Sequence, residues 1–282
     1  MGKNYYFLTA SLPELAFDLE AKTISIESLK LEIQEAITPS DWKRMSEIFR
    51  QYDVANILYL KGIDGSRFSE LGNYSEEEMN LALENISILP TFIRDFLKEP
   101  ISSEDDNVIP YTEIETLKPE MLLWTNFYSA MQKKNNSFIR NWYSFDRDFR
   151  NILTAITCRK QKIEIAPHLI GTGALVELLA HSSASDFGVH QEIDYIDRLI
   201  HIAEIPNLLE REKKFDLLRW EKAEEIAVYD YFNVNSLMAF LIKALIVHRW
   251  ISLDRTYGET LFQNLVSELK NSFDLTDSFK VQ

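Results

Sequence analysis

Residues 53–60 read DVANILYL, residues 148–155 read DFRNILTA, and a looser copy, NVNSLMAF, follows at residues 233–240. Each copy has a polar residue, a second polar residue three positions later, and then an apolar run. This layout is typical of a helix N-terminus whose first backbone N–H groups are capped by side chains. The repeat therefore predicts three related helices, each opening a helical unit.

The candidate caps are Asp53, Asn56, Asp148, Asn151, Asn233 and Ser236. Tyr52 and Phe232 precede the first and third copies, where an aromatic residue could pack on the first turn, whereas Arg147 precedes the second. Because Asp-x-x-Asn is a short pattern, capping by chance is the alternative interpretation.

The composition of the whole chain favours an all-α fold. The 282 residues include only eight glycines and eight prolines, which leaves little material for the turns of a β protein. Hydrophobic residues make up 46% of the chain, enough for a large core. Apolar residues at helical spacing predict helices over residues 28–37, 41–50, 193–209 and 215–231. Residues 5–9 and 23–26 are the two candidate strands.

The chain divides most clearly at residues 99–119, an acidic segment with Pro100, Pro110 and Pro119. We therefore expect a first helical lobe over residues 1–98 and a second and third lobe over residues 120–282.

Charge and cysteine content limit the binding partners and the cellular compartment that are expected for the chain. The net charge of −14 opposes binding to nucleic acids and to anionic membranes, and either solubility or a basic protein partner accounts for it. The single cysteine, Cys158, excludes an internal disulfide and fits a reducing compartment. Residues 237–247 are too short and too interrupted for a membrane span and predict a buried helix. With no convincing signal peptide, we expect a cytoplasmic protein.

At the repeated segments the sequence resembles the C subunit of archaeal and bacterial A/V-type rotary ATPases, whose eukaryotic vacuolar counterpart is the d subunit. That family carries an aromatic-Asp-x-x-Asn-apolar-apolar motif, which residues 52–58 match in full and residues 148–153 match after the aromatic position. Residues 233–251 resemble the family's last long helix, although an expected acidic residue is missing. Residues 5–15 are similar to its aromatic start. The chain is shorter than most members and resembles a divergent bacterial branch.

The resemblance implies a funnel of three pseudo-repeated helical lobes, the all-α fold of this V-type ATPase family. It implies a non-catalytic central-stalk subunit that receives the rotor shaft and docks on the membrane rotor ring. Such a subunit transmits torque in ATP-driven or ATP-synthesising proton or sodium transport. It needs no cofactor, binds no nucleic acid, and lies at the inner face of the membrane through its complex, without a membrane span of its own.

The residues themselves predict no catalytic centre. Gly171 and Gly173 lack the further glycine and lysine of a phosphate-binding loop and indicate a helix-ending turn. The histidines never occur at metal-ligand spacing. Residues 104–107, Glu-Asp-Asp-Asn, are the nearest approach to a metal site, and a solvated loop is the favoured interpretation. A magnesium-dependent helical lyase or transferase built on this cluster is the enzymatic alternative.

Basic residues gather at Arg159, Lys160 and Lys162, directly after the second repeat. Stabilisation of a helix end is the first interpretation of this cluster, and contact with a partner protein is the second. A free-standing helical adaptor or assembly factor is the alternative to the rotary-ATPase hypothesis, because the same lobes could hold another partner.

Overall fold

The computed structural model of the chain describes residues 4–15, 17, 25–64, 67–98 and 118–253. All regular structure within these ranges is helical, as composition predicted. The helices are α1 Tyr6–Ser11, α2 Ile26–Ala36, α3 Pro39–Met45, α4 Arg50–Leu60, α5 Glu76–Glu84, α6 Thr91–Lys98, α7 Pro119–Gln132, α8 Ser137–Gln161, α9 Ala174–His181, α10 Ile196–Ala203, α11 Leu208–Ile226 and α12 Val234–Leu253. Short 3₁₀ turns occupy Ser46–Phe49, Ile86–Ile88 and Ala166–His168.

The candidate strand at residues 5–9 is wrong, because residues 6–9 belong to α1 and Tyr5 directly precedes it. In the other candidate, Ile26 begins α2 and residues 23–24 lie outside the described residues, as does the acidic cluster at 104–107. The predicted linker also lies outside them apart from its last two residues, so the division into lobes stays a prediction.

Side-chain caps set several helix starts. Ser25 Oγ accepts from the Ser28 backbone N–H ahead of α2, and Asn136 Oδ1 accepts from the Ile139 N–H ahead of α8. Ser75 and Glu78 form a complete capping box at α5. Each of these caps satisfies a backbone donor that a helix start would otherwise leave unpaired.

The predicted caps in the first two sequence repeats are wrong. Helix α4 begins at Arg50, which places Asp53 and Asn56 inside it, and α8 begins at Ser137, which places Asp148 and Asn151 near its middle. The apolar pattern upstream of each copy continues the helix through the aspartate. In the third copy Asn233 does precede α12, and its Oδ1 accepts from the backbone N–H groups of Asn235 (2.8 Å) and Ser236 (3.4 Å).

The 25-residue helix α8 is the centre of the fold. It packs on α7, α9, α10 and α11, and α7 in turn packs on α4 and α6. A polar link accompanies this packing, since the buried Tyr143 hydroxyl on α8 donates to the Glu47 carbonyl at 2.8 Å. The apolar core is therefore continuous from the N-terminal helices to α12.

Helix α12 is long and apolar enough to cross a membrane by length and composition, and it is the one such helix in the described part of the chain. Half of its most apolar window is buried within the protein, and core helices of water-soluble proteins pass the same test. Lys243 and Arg249 on α12 form ion pairs with Glu224 and Glu212 of α11, respectively. These contacts fit the predicted core helix.

Candidate functional site

The repeated asparagine of the first copy fastens the chain that returns after α4. Asn56 Nδ2 donates to the Ser69 carbonyl (2.9 Å), and Asn56 Oδ1 accepts from the Ser69 backbone N–H (2.7 Å). One side-chain amide thus satisfies both backbone groups of a single residue, in the manner of a neighbouring strand. We call this pair of hydrogen bonds the first amide clamp.

Asp53 extends the first amide clamp. Its carboxylate accepts from the Asn73 backbone N–H and from Asn73 Nδ2, both at 2.7 Å, and pairs with Arg50 at 3.3 Å. Gly72 approaches so closely that a Cβ there would lie 2.7 Å from Asp53 Oδ1. Burial raises the pKa of the Asp53 carboxyl, an effect that its hydrogen bonds and the Arg50 charge only partly offset.

The second copy builds the same clamp on α8. Asn151 Nδ2 donates to the Ile170 carbonyl (2.9 Å), and Asn151 Oδ1 accepts from the Ile170 backbone N–H (2.8 Å). The next residue, Gly171, donates its N–H to Thr125 Oγ1 of α7 at 2.9 Å. In the first unit Lys30 of α2 similarly holds the Gly72 carbonyl at 2.6 Å. Each unit therefore has a long helix, an amide clamp, a glycine held by a neighbouring helix, and a shorter helix after it.

The aspartates of the two copies differ. Asp53 is fully buried, whereas Asp148 keeps 17% of its side chain exposed and pairs with the adjacent Arg147 at 2.8 Å. Asp148 makes no bond to the returning loop among the hydrogen bonds of the described residues. The first two copies thus occupy equivalent positions in their units. The asparagine has the same role in both copies, and the aspartate does not.

A cavity of about 740 Å³ lies between the helices that carry the three copies, α4, α8 and α12. Its walls include Tyr52 and Ala55 of α4, Trp142 of α8, and residues of α11 and α12. The lining residues on α12 are Ile242, Leu245, Ile246, His248, Arg249, Ser252 and Leu253. The segment 67–71, which carries the first amide clamp, forms another wall. Because Arg67 and Glu70 in that segment are exposed, the cavity opens to solvent.

Two buried carboxylates hold the far wall of this cavity together. Asp146 on α8 accepts from the Tyr128 hydroxyl (2.5 Å), from Arg150 Nε (3.0 Å) and from Arg219 Nη2 of α11 (2.8 Å). Burial disfavours ionisation of Asp146, but the charges of Arg150 and Arg219 outweigh it and lower the pKa of the carboxyl. Asp146 is therefore an ionised structural junction of α7, α8 and α11.

Asp216 makes the corresponding junction between α11 and α12. Its Oδ2 accepts from Arg249 Nη1 (2.6 Å) and from Trp250 Nε1 (2.9 Å). Burial raises the pKa of Asp216, with Arg249 offsetting part of the effect, and burial also raises the pKa of Tyr52 across the cavity to about 12. Sequence reasoning missed both junctions, because carboxylates spaced three or four residues from arginines look like pairs on a solvated helix face.

The basic cluster is largely engaged within the protein. Arg159 donates to the Ser182 carbonyl (2.8 Å) and the Ala184 carbonyl (2.6 Å) and stacks 3.6 Å from the centre of the Phe187 ring. Lys160 donates to the Ala203 carbonyl at the end of α10 (2.6 Å). Ser182 is the C-cap of α9 and Ala203 is the last residue of α10, so both cations bind the C-terminal ends of other helices. The first interpretation concerned the end of their own helix, α8, in whose last turn Arg159 and Lys160 lie. Lys162 ends α8 in the left-handed conformation and is exposed.

The side chains of the clamps and of the cavity wall mainly hold the fold together and shape a surface, and few of them are reactive groups. No group of three or more histidine, cysteine or acidic side chains is placed to hold a metal ion within the described residues. Cys158 is buried, and burial raises the pKa of its thiol, as expected of an inert cysteine.

Comparison with known proteins assigns the chain to a family but does not indicate an activity. Neither the curated proteins nor the solved structures include a significant match to this chain. One family model, described as a protein of unknown function (DUF2764), matches residues 1–273. Because that match spans nearly the whole chain, including both amide clamps and the cavity, the protein belongs to the DUF2764 family.

Proposed function

We propose that the protein is a non-catalytic central-stalk subunit of a V/A-type ATPase. In this role it connects the rotor shaft to the membrane rotor ring during ATP-driven or ATP-synthesising transport of protons or sodium. The observation that carries the proposal is the cavity, because the three helices that carry the sequence copies, α4, α8 and α12, each supply part of its walls. Three related helical lobes around a central concavity are what the sequence resemblance implies for a funnel that receives a shaft.

The lining of the cavity suits the end of a helical partner. Leu253, which is 47% exposed, offers apolar surface at the cavity to an amphipathic helix, whereas Trp142 and the other apolar lining residues of α12 are buried beneath it. Arg67 and Glu70 at the opening would set orientation and rate of approach more than affinity.

The charged groups of the cavity wall support mechanical coupling. Asp146 and Asp216 pair with arginines from other positions of α8, α11 and α12, and these pairs tie the three helices together. A buried polar network whose groups are mostly hydrogen-bonded stiffens its surroundings and favours one packing arrangement, and in this network Arg219 Nε is left without a partner. Stiffness at the junction of the walls is what a protein that transmits torque requires.

Affinity purification tests the proposal. The tagged full-length protein should capture the central-shaft proteins from its own cells without nucleotide, and from native membranes it should also recover the rotor ring. Ala55→Trp places a large side chain in the cavity and should weaken shaft capture at least about tenfold. Ala36→Trp, at an exposed helical alanine outside the cavity lining, is the matched control and should bind normally.

Thermal melting of both variants should resemble that of the wild type, since neither alanine belongs to the buried core. Recovery of neither shaft nor ring would refute the central-stalk role and favour a free-standing adaptor. Equal shaft binding by Ala55→Trp and wild type would show that the cavity is not the socket.

A further inference from the structure

The cavity has apolar surface at the point where the described part of the chain ends. Leu253, the last residue of α12, lines the cavity and is 47% exposed. Phe68 and Leu71 also line it and are only partly buried. Apolar surface therefore lies directly beside the position from which residues 254–282 continue the chain.

Residues 261–273, which we call the distal segment, have the sequence pattern of an amphipathic helix. The distal segment lies outside the described residues. Its apolar residues recur at intervals of three and four: Leu261, Phe262, Leu265, Val266, Leu269 and Phe273. On a helix these residues share one side, and Ser267 and Asn271 fall on the opposite side. Such a stripe predicts a helix that buries one face against another part of a protein.

The distal segment belongs to the region that defines the family. The DUF2764 match extends to residue 273, which is the last apolar position of the stripe. The match thus continues beyond α12 and takes in the whole distal segment. A partner surface for the stripe is therefore expected within the same domain.

Chain lengths allow the distal segment to return along α12. The connection, residues 254–260, contains Gly258 and has a length that is usual between packed helices. At about 1.5 Å per residue, a helix over the distal segment is ~18 Å long. The part of α12 that lines the cavity, residues 242–253, is ~17 Å long by the same rise. A helix that turns back after the connection therefore matches the length of this wall.

The charges of the cavity also suit the distal segment. The lining includes three arginines and four carboxylates, and its two buried carboxylates already pair with arginines. An occupant therefore needs no net charge of its own. Glu268 and Lys270 are the only charged residues of the distal segment, and their charges cancel.

We infer that the distal segment docks as an amphipathic helix in the cavity of its own chain, where its apolar stripe covers Phe68, Leu71 and Leu253. This docking goes beyond the proposed function and does not depend on it. One consequence does rest on the proposed function. Because the shaft uses the same cavity, the distal segment and the shaft compete, and the free protein keeps its socket covered until the shaft binds.

Thiol labelling of the full-length protein tests the docking. Ala55→Cys places a thiol in the cavity wall, and Ala36→Cys places one on an exposed part of α2 outside the cavity lining. The native thiol of Cys158 is buried and should label slowly in every variant. A docked distal segment should slow the labelling of position 55 and leave that of position 36 unaffected.

Two charge variants of the distal segment decide the result. Leu265→Asp/Leu269→Asp disrupts the apolar stripe, because a charged stripe loses hydration on docking without gaining a partner. It should label position 55 at least about tenfold faster than the wild-type segment does, since the covered cavity is open only in the minor undocked population. Ser267→Asp/Asn271→Asp adds the same charge on the opposite side and should leave the rate unchanged. Equal rates in the stripe variant and the wild type, or an equal increase in the control, would overturn the inference.

Photo-crosslinking tests the docking with the stripe kept apolar. A benzophenone-bearing residue replaces Leu265 in the full-length chain, and in a parallel sample it replaces Ser267. Peptide mapping should place the adduct of position 265 within residues 67–71 or 242–253, and position 267 should give none there. An adduct of position 265 elsewhere in the chain or with a second copy, or no adduct, would contradict docking in the cavity.

Binding of the isolated shaft proteins separates this inference from the proposed function. The stripe variant should bind the shaft at least about tenfold more tightly than the wild type, because no docked segment has to leave first. Equal shaft affinities would refute the competition. If neither protein binds the shaft, the proposed function fails, and the labelling and crosslinking results still decide whether the distal segment docks.

Discussion

The first and second amide clamps show which part of a repeated motif carries a shared task. In both, an asparagine on a long helix binds the N–H and C=O of one residue in the returning chain, Ser69 or Ile170. The aspartate three positions earlier is buried and bonded to Asn73 in the first unit, but pairs with its neighbour Arg147 in the second. The asparagine is thus the common element, and the aspartate has taken two roles.

The largest effect should come from removing either clamp. Asn56→Ala and Asn151→Ala each leave a backbone donor and acceptor without their partner in a poorly hydrated site. Each should lower the free energy of unfolding by about 3 kcal/mol. Chemical denaturation measures the loss, and similar losses at the two sites would confirm the equivalence. A loss below about 1 kcal/mol at only one site would break the comparison.

The aspartates should respond unequally. Asp53→Ala removes the acceptor of two Asn73 hydrogen bonds and of Arg50, so we expect a loss of about 2 kcal/mol. Asp148→Ala removes one partly exposed pair with Arg147 and should cost about 0.5 kcal/mol. Denaturation midpoints of the two variants, measured side by side, provide the check. Equal losses would contradict the assigned roles.

Substitutions of the glycines beside the two clamps give a further test of how the two units differ. Gly72→Ala would place Cβ 2.7 Å from Asp53 Oδ1, and the resulting shift should cost about 1–2 kcal/mol. At Gly171 the nearest atom to an added Cβ is 3.9 Å away, but φ is +83°. Gly171→Ala should therefore cost about 1 kcal/mol through backbone strain alone. Combining Gly72→Ala with Asp53→Ala should relieve the clash and give less than the sum of the two losses.

The smallest effect is a pH dependence of opposite sign at Asp53 and Asp146. The pKa of Asp53 is raised in the fold, so its contribution to stability is present below the ordinary value of 3.8 and lost as pH rises through the raised pKa. The pKa of Asp146 is lowered, so its contribution is present above 3.8 and lost as pH falls through the lowered pKa.

Denaturation between about pH 3 and pH 6 measures both contributions. In Asp53→Asn, the free energy of unfolding should rise more steeply with pH than it does in the wild type. In Asp146→Asn, it should fall less than in the wild type as the pH is lowered. Changes of the same sign in the two variants would contradict the contrast.

The fold class was predictable from the sequence, and the roles of the repeated residues were not. Low glycine and proline content and helical spacing predicted an all-α protein. Asp53 and Asp148 resembled caps because capping chemistry is local. Their helices begin earlier, since the apolar pattern continues upstream of both.

The partners of the clamps lie too far away in sequence to leave a local signal. Asn56 binds Ser69 thirteen residues later, and Asn151 binds Ile170 nineteen residues later. The junction between Asp146 and Arg219 spans 73 residues. Such contacts depend on how helices pack, so the cavity and its charged wall required the three-dimensional structure.

Site-specific photo-crosslinking in the native cell tests the central-stalk role most directly. A photoreactive residue replaces Arg67 at the cavity opening, and in a parallel strain it replaces Lys61, which is exposed outside the cavity lining. We predict that the probe at position 67 forms an adduct with a helical shaft protein of the rotary ATPase and that the probe at position 61 does not. A probe at position 67 that yields no shaft adduct, in cells where the complex is assembled, would contradict the account.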